Sequence, residues 1–523
     1  MIREEEFLEN FLFRINKPFE ISEKNGDFFV QEIEKNKQNK SLGVSSYAYC
    51  PPLSVEKLGD SSFCSDYGLK YPYLGGSMAH GISSPEISEK LAEGGMLGFV
   101  GAGGQSLSWI EDAIARLQNS IPDLPFGFNL IHSPNDPDLE DAIAKLYIKK
   151  GINLIEASAF MSITLPLVKY RVHGISLAHD GRIITPNRII AKISRIEVAT
   201  KFFSPPPERL LQELIKTGEI TPKQAELALK IPMAQDVTAE ADSGGHTDNR
   251  PAICLFPTIL ALKDRLQKQF NYPFALRVGL GGGISTPTSL AAAFSMGATY
   301  VMTGSVNQAC QESGTSPLVR EMLAATEQAD VCMAPAGDMF EMGVNVQVIK
   351  RGTMFPMRAA KLYDLYKTNS SIEEIPENEK SNLEKTVFKD SLEKIWCTTR
   401  EFFRKRDPRE IEKAERDPKH KMALVFRWYL GQSPRWAIEG NLTRRIDFQI
   451  WCGPAMGAFN EWTRGSFMEK PNGRKVNEVA MNLLFGAAVL LRVQNLKFQG
   501  ITLPQEMCNF RPLNIDEIKK HCG

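Results

Sequence analysis

The segment Arg277-Val278-Gly279-Leu280-Gly281-Gly282-Gly283-Ile284-Ser285-Thr286-Pro287 runs an apolar strand pattern into three consecutive glycines and then a capped helix start. Without β-carbons, the backbone N–H groups of such a turn can close on an anion, and the helix N-terminus adds partial positive charge. A second small, donor-rich turn, Thr303-Gly304-Ser305, ends the next strand pattern. Two such turns in succession predict a phosphate seat, against the simpler reading of a permissive turn. Gly101-Ala102-Gly103-Gly104-Gln105-Ser106 also lies between a strand and a helix pattern. There Ser106 holds the third-glycine place of a dinucleotide turn, and Asn129, not an acid, marks the strand that follows, so the match is weak.

A different chemistry is written into Glu240-Ala241-Asp242-Ser243-Gly244-Gly245-His246-Thr247-Asp248. An imidazole holds or delivers a proton near neutral pH, and glycines beside it let a flat ring approach. The plainer reading pairs His246 with Asp242 or Asp248. His80 and His132 also follow strand patterns and are candidates for lining a pocket, whereas His173, His179, His420 and His521 have no such context. Asn129 could hydrogen-bond the edge of a ring or simply form a turn. Lys192, set in an otherwise apolar strand pattern, requires a partner if buried, such as an electron-rich ring or a phosphate.

These residues need a scaffold that brings strand ends together. Short apolar or β-branched runs recur at Tyr73-Leu74, Leu97–Val100, Phe126–Leu130, Asn153–Glu156, Ile189–Ile193, Asp236–Glu240, Leu276–Leu280 and Tyr300–Thr303, each followed by a helical pattern. Eight such units predict an α/β fold, a (β/α)8 TIM barrel, whose loops after the seventh and eighth strands are the usual phosphate seat. An open doubly wound sheet would show the same alternation. Ser84-Pro85 and Thr286-Pro287 read as cap-then-proline helix entries, closed at Gly94-Gly95 and Gly297, and Ser108 with Glu111 reads as a capping box. A helical excursion is expected at 195–232 and a polar linker at about 368–380. The division predicted is an N-terminal elaboration at 1–70, the barrel at 71–367, and an α-helical domain at 381–523.

Composition narrows the partners. In 523 residues, Lys plus Arg number 62 and Asp plus Glu 62, so no basic excess points to nucleic acid. The nine cysteines are scattered without a C-x-x-C pair, which argues against a metal site and for reduced thiols. The start Met1-Ile-Arg-Glu-Glu-Glu lacks a basic, apolar leader, and no apolar run is expected to reach the ~20 residues of a membrane span. A soluble, cytoplasmic protein without membrane or nucleic-acid partners is expected, its oligomeric state left open.

Longer strings carry a resemblance. Leu74-Gly75-Gly76-Ser77-Met78-Ala79-His80-Gly81-Ile82-Ser83, Phe128-Asn129-Leu130, Ser243–His246 and the two phosphate turns resemble the nitronate monooxygenase and 2-nitropropane dioxygenase-like flavoproteins. Phe126–Pro134 (FGFNLIHSP), Glu156–Phe160 (EASAF), Ala239–Asp248 and Ile450–Trp462 (IWCGPAMGAFNEW) narrow this to the PfaD family, trans-acting enoyl reductases of polyunsaturated fatty acid and polyketide synthases. The resemblance implies FMN, a nicotinamide reductant (NADPH), and an enoyl thioester presented by the acyl carrier protein of a separate synthase. It implies Ser77, Met78 and Ala79 beside the flavin ring, with Asn129 and Lys192 at its polar edge. Ser243, Gly244 and Gly245 line the cofactor, Gly281, Gly282, Gly283, Gly304 and Ser305 hold its phosphate, and His246 serves the substrate as proton donor, directly or through a water. The broader group often has Glu-Ala-Gly-Gly-His where this chain has Ala241-Asp242-Ser243-Gly244-Gly245-His246, which sets nitronate chemistry apart.

Three rivals remain: a nitronate-oxidising monooxygenase on the same fold, an inosinate-dehydrogenase-like barrel lacking the expected cysteine loop, and a non-catalytic docking protein. Arg404, Lys405, Arg406, Arg444 and Arg445 could meet an acidic carrier protein, although such clusters are usually solvated surface. Trp396, Trp428, Trp436, Trp451 and Trp462 are expected to serve packing.

Overall fold

Strands that read as unbroken apolar runs need cover on both faces, which a parallel sheet with helical crossovers provides. The computed structural model describes residues 5–24, 27–33, 45–133 and 136–522. The N-terminal residues 1–4 and Pro134, the end of the FGFNLIHSP string, lie outside the described residues. The eight expected runs form β1 (Tyr73–Gly75), β2 (Leu97–Val100), β3 (Gly127–Ile131), β4 (Leu154–Ser158), β5 (Arg188–Ile193), β6 (Asp236–Glu240), β7 (Arg277–Gly281) and β8 (Val301–Thr303). They pair in parallel in chain order, and β8 returns to β1 to close a barrel, which excludes the open sheet.

The chain divides into two compact units, one of Met1–Ala241, Arg250–Ser313 and Glu461–Gly523, the other of Asp242–Asn249 and Gly314–Asn460. This differs from a linear division with 381–523 as one domain. Helix Val476–Phe498 explains the difference: it packs with the barrel, and a β-carbon on its Gly486 would stand 2.8 Å from Pro287. By length and composition that helix could cross a membrane, correcting the expectation that no segment reaches that size; most of it is buried in its unit. Interspersed Asn482, Arg492 and Asn495 hide its apolar character from a simple scan.

Residues 1–70, left unspecified by the sequence, include an antiparallel sheet of Phe19–Lys24, Asp27–Glu32 and Ser45–Cys50. Phe19, Ile21, Ala48 and Cys50 share a core with Val493 and Leu496. The excursion after β5 is three helices, Ile196–Phe203, Glu208–Lys216 and Pro222–Ala228, and the expected linker ends in helix Glu377–Leu383. Ser84 and Thr286 cap their helices as expected. Helix Leu107–Ser120, however, is capped by Ser106, whose hydroxyl accepts from the Trp109 N–H; Ser108 lies inside the first turn.

One end of the barrel is sealed. Helix Ser61–Tyr67 brings Phe63, Cys64 and Tyr67 into a core with Leu74, Leu97, Phe99, Leu154, Ile190, Tyr300 and Met302. At the N-terminal ends of β6 and β7, Tyr67 donates to Asp236 at 2.7 Å and Arg277 Nε donates to the same carboxylate at 2.6 Å. Chemistry is therefore left to the C-terminal strand ends.

Candidate functional site at the carboxyl ends of the barrel strands

Gly281 stands opposite Met302 in the β7–β8 ladder, so the turns Gly281–Gly283 and Gly304-Ser305 leave adjacent strands at nearly the same level. Gly282 and Gly283 have φ of +79° and +74°, a region closed to most side chains. A β-carbon on Gly282 would lie 2.7 Å from the Ala241 carbonyl, whereas one on Gly283 or Gly304 would meet nothing within 4 Å. Ser285 and Thr286 give their N–H groups to Ser289 Oγ at 3.0 and 2.9 Å. Those of Gly282, Gly283 and Ile284 bond to nothing among the described residues. Uncommitted amides, space beside two glycines and the start of helix Pro287–Ser295 fit a phosphate monoester, as the end of FMN would require.

The walls beside these turns are charged. Lys192 on β5 lies 3.5 Å from Glu156 on β4 and 3.5 Å from Glu240 on β6. Burial disfavours the ammonium, but the two carboxylates outweigh it and raise its pKa. Glu156 is completely buried; desolvation pushes its carboxyl up, while Lys192 and Ser77 draw it back. The Ser77 N–H donates to Glu156 at 3.2 Å, and its hydroxyl bonds the same oxygen. Asn129 donates to Ser158 Oγ at 3.0 Å and to the Glu156 carbonyl at 3.2 Å. Ser77 and Lys192 thus converge on one buried carboxylate, and Asn129 bonds the backbone of the same residue. The expectation that Lys192 needs a partner holds, and carboxylates supply it.

Met78, Ala79 and His80 lie in the loop after β1, pressed against the loop after β2. A β-carbon on Gly101 would fall 1.7 Å from the Met78 carbonyl oxygen, and one on Gly104 would fall 2.5 Å from the His80 ring. His80 itself has φ of 58° and donates its N–H to Gly103 at 2.7 Å. The glycines that resembled a dinucleotide turn therefore make room for the Met78–His80 loop. His132 is held by the buried Glu140 at 3.0 Å and stacks on Phe160 at 5.2 Å, contacts that suffice to explain it structurally.

Ser243, Gly244, Gly245 and His246 belong to the second unit. Gly245-His246 pairs antiparallel with Asn345–Ile349, which pairs in turn with Val331–Pro335. A β-carbon on Gly244 would come within 2.9 Å of Cys452, and one on Gly245 would lie 3.7 Å from the Trp451 ring, so the start of the Ile450–Trp462 string packs against this turn. Gln347 donates to Asp242 and to the Ser243 carbonyl, both at 3.0 Å. His246 Nε2 lies 3.1 Å from Asp338, an acid outside the pair, Asp242 and Asp248, that the plainer sequence reading offers. Elsewhere in this unit Arg444 is buried on Asp447 and the Val387 carbonyl, which removes it from the basic surface group; Arg404, Lys405, Arg406 and Arg445 are not buried in this way.

Glu156, Glu240 and Asp338 were not singled out from sequence. Glu156 had a legible signal: an acid inside an apolar strand run, one strand before a lysine in the same setting.

The nitronate monooxygenase family matches residues 61–374, and the inserted helical domain of [acyl-carrier-protein] S-malonyltransferase matches residues 369–448. The chain is 46% identical over 468 residues to one of the polyunsaturated fatty acid synthase subunits of a Thraustochytrium species, covering 88% of the chain and 31% of that protein. It is 45% identical over 447 residues to the polyketide biosynthesis protein PksE of Bacillus subtilis, covering 85% of the chain and 58% of PksE. The chain thus spans less than two thirds of these curated relatives. The crystal structure of the enoyl reductase domain of MlnA, from the macrolactin cluster of Bacillus amyloliquefaciens, superposes with a TM-score of 0.81 at 40% identity, covering 84% of this chain and 99% of that one. The chain belongs to the nitronate monooxygenase family and is homologous over most of its length to polyunsaturated fatty acid synthase subunits and to the MlnA enoyl reductase domain.

Proposed function

We propose that this protein is an FMN-dependent enoyl reductase that takes hydride from NADPH and acts in trans on enoyl thioesters carried by the acyl carrier protein of a polyketide or polyunsaturated fatty acid synthase. The observation that carries the cofactor is the pair of glycine turns on adjacent strands β7 and β8, with the Gly282, Gly283 and Ile284 amides uncommitted among the described residues and space beside Gly283 and Gly304. The name of the MlnA domain supports enoyl reduction. When bound, the flavin supplies hydride acceptance from the nicotinamide and hydride donation to the β-carbon of the enoyl thioester.

In this reading, Gly281–Gly283, Gly304 and Ser305 hold the phosphate, while Ser77, Met78, Ala79, Asn129, Ser243, Gly244 and Gly245 line the ring. Lys192, kept protonated by Glu156 and Glu240, supplies positive charge at the polar edge. His246 delivers a proton to the α-carbon, directly or through a water it orders. One donor aimed at the thioester oxygen contributes about 3 kcal/mol as enolate charge develops there. Arg404, Lys405, Arg406 and Arg445 offer positive charge to an acidic carrier protein, and the family match at 369–448 supports a carrier-protein setting.

The test is anaerobic. The purified protein is expected to be yellow, to bleach with NADPH, and to regain its colour on addition of crotonyl thioester. The family match over 61–374 favours nitronate oxidation as a second reading; reoxidation by oxygen with alkyl nitronates but not by enoyl thioester would establish it instead. A colourless protein that resists reconstitution with FMN would point to a non-catalytic docking role.

A further inference from the structure

We propose that Asp338 is a positioning residue for His246, and that helix Pro418–Glu439 of the inserted helical region holds the Asp338 loop in place. The inference rests on the reading in which His246 serves the substrate. Asp338 lies between strands Val331–Pro335 and Asn345–Ile349, and the second of these also pairs with Gly245-His246. One hairpin therefore fixes the histidine twice, its backbone through Val346 and its ring through Asp338. A carboxylate only accepts, so the 3.1 Å contact places the proton of the neutral ring on Nε2, and a proton delivered to substrate must be a second one, carried on Nδ1 while Asp338 keeps the first. Partial desolvation would raise the Asp338 carboxyl, but the bond and charge of His246 hold it below its usual range.

A hairpin loop left to itself would be a poor positioning device. This one is clamped on both sides of Asp338. A β-carbon on Gly337 would stand 3.1 Å from Leu430 Cβ, so the loop backbone lies directly on helix Pro418–Glu439. From the same helix Arg427 donates through Nε to the Gly337 carbonyl at 3.0 Å and through Nη1 to Glu341 at 3.1 Å. Phe340 is fully buried, with its ring 5.5 Å from Tyr363 and 5.2 Å from Tyr366. The helical region thereby acquires a task beyond any surface role: it holds the acid that orients the imidazole.

The experiment has a spectroscopic and a kinetic arm. In flavin-stripped full-length protein labelled with ¹⁵N-histidine, long-range proton–nitrogen correlation is expected to show His246, assigned by loss of its signals in His246→Gln, as the Nε2–H tautomer. Asp338→Ala is expected to lose that preference, and Arg427→Met to weaken it. In the reconstituted holoenzyme, Asp338→Asn is expected to slow reoxidation by crotonyl thioester about 10-fold or more while NADPH reduction stays near wild type; removing an acid–base group itself costs about 10²–10⁴-fold. The Asp338→Asn, His246→Ala double variant should be no slower than His246→Ala alone. An unchanged tautomer in Asp338→Ala, or in Asp338→Asn should the alanine variant not fold, overturns the proposal and leaves the role of His246 intact. Unimpaired reoxidation in His246→Ala removes that role, and the positioning role with it.

Discussion

Glu156 Oε2 lies 3.5 Å from Lys192 Nζ, across neighbouring strands β4 and β5. Ile190 is the register partner of Glu156, so Lys192 stands one step further along the same face, within reach of a long side chain. The carboxylate is fully buried, and the ammonium also meets Glu240. Removing one member of a buried ion pair costs about 3–5 kcal/mol, because the other is left without compensation. Lys192→Met is therefore expected to lower stability by about that amount, and adding Glu156→Gln to restore part of it. Denaturant unfolding of the two variants and wild type checks this. Equal losses in the single and double variants would show that the charges are not coupled.

The pH window of this pair follows from its sign. The folded-state pKa of Lys192 is raised, since Glu156 and Glu240 outweigh burial. Its stabilisation is fully present below the unfolded lysine value of about 10.4 and is lost only as pH rises through the higher folded value. With Glu156, whose carboxyl rises further once Lys192 is gone, replaced by Gln in both proteins, the stability difference made by Lys192→Met should accordingly stay nearly flat from about pH 6 to 9 and shrink only above about 10.4. A steep fall within that flat range would mean that Lys192 titrates there and is not held by Glu240.

What the sequence disclosed was local. The barrel strands were legible because they are largely apolar runs, with β1, β2, β7 and β8 stopped by a glycine, and Leu97–Val100 and Asp236–Glu240 were read to the residue. The turn after β7 was legible for the same reason, Gly281, Gly282 and Gly283 being contiguous. Long-range pairings were not. Gly245-His246 finds its strand partner far along the chain, at Val346 and Gln347, and Asp338 reaches the imidazole through that same hairpin. No spacing rule links those segments, so the sequence offers the imidazole only its nearest acids, Asp242 and Asp248. Arg444 misled in the opposite way: beside Arg445 it reads as surface charge, yet the buried Asp447 draws it inward.

Thiol chemistry separates the nine cysteines. Cys254 and Cys397 are exposed, whereas Cys64 is buried under the barrel floor. Burial pushes the Cys64 thiol up to about 11, with Asp60 adding and Arg277 opposing. Because the thiolate is the nucleophile, iodoacetamide at about pH 8 should label Cys254 and Cys397 well before Cys64, which should react only on unfolding. Peptide mapping by mass spectrometry reads the order. Early labelling of Cys64 would show that helix Ser61–Tyr67 does not seal that end of the barrel.

The glycine turns allow strain and ligand binding to be told apart. At Gly282 the left-handed backbone alone costs an alanine roughly 1–2 kcal/mol, and its β-carbon would also meet Ala241 at 2.7 Å. Gly282→Ala should therefore unfold more easily than wild type with or without flavin. Gly304 has no positive φ and nothing within 4 Å of a β-carbon, so Gly304→Ala should lie within about 0.5 kcal/mol of wild type, as surface substitutions usually do. An aspartate at the same position brings a negative charge to the place assigned to the phosphate. Gly304→Asp is expected to keep the fold and to bind FMN at least about tenfold more weakly, which corresponds to about 1.4 kcal/mol. Circular dichroism and flavin titration together decide the matter. A Gly304→Asp protein that folds and holds FMN as tightly as wild type would mean that the anion is seated elsewhere, and that the space beside Gly304 has another use.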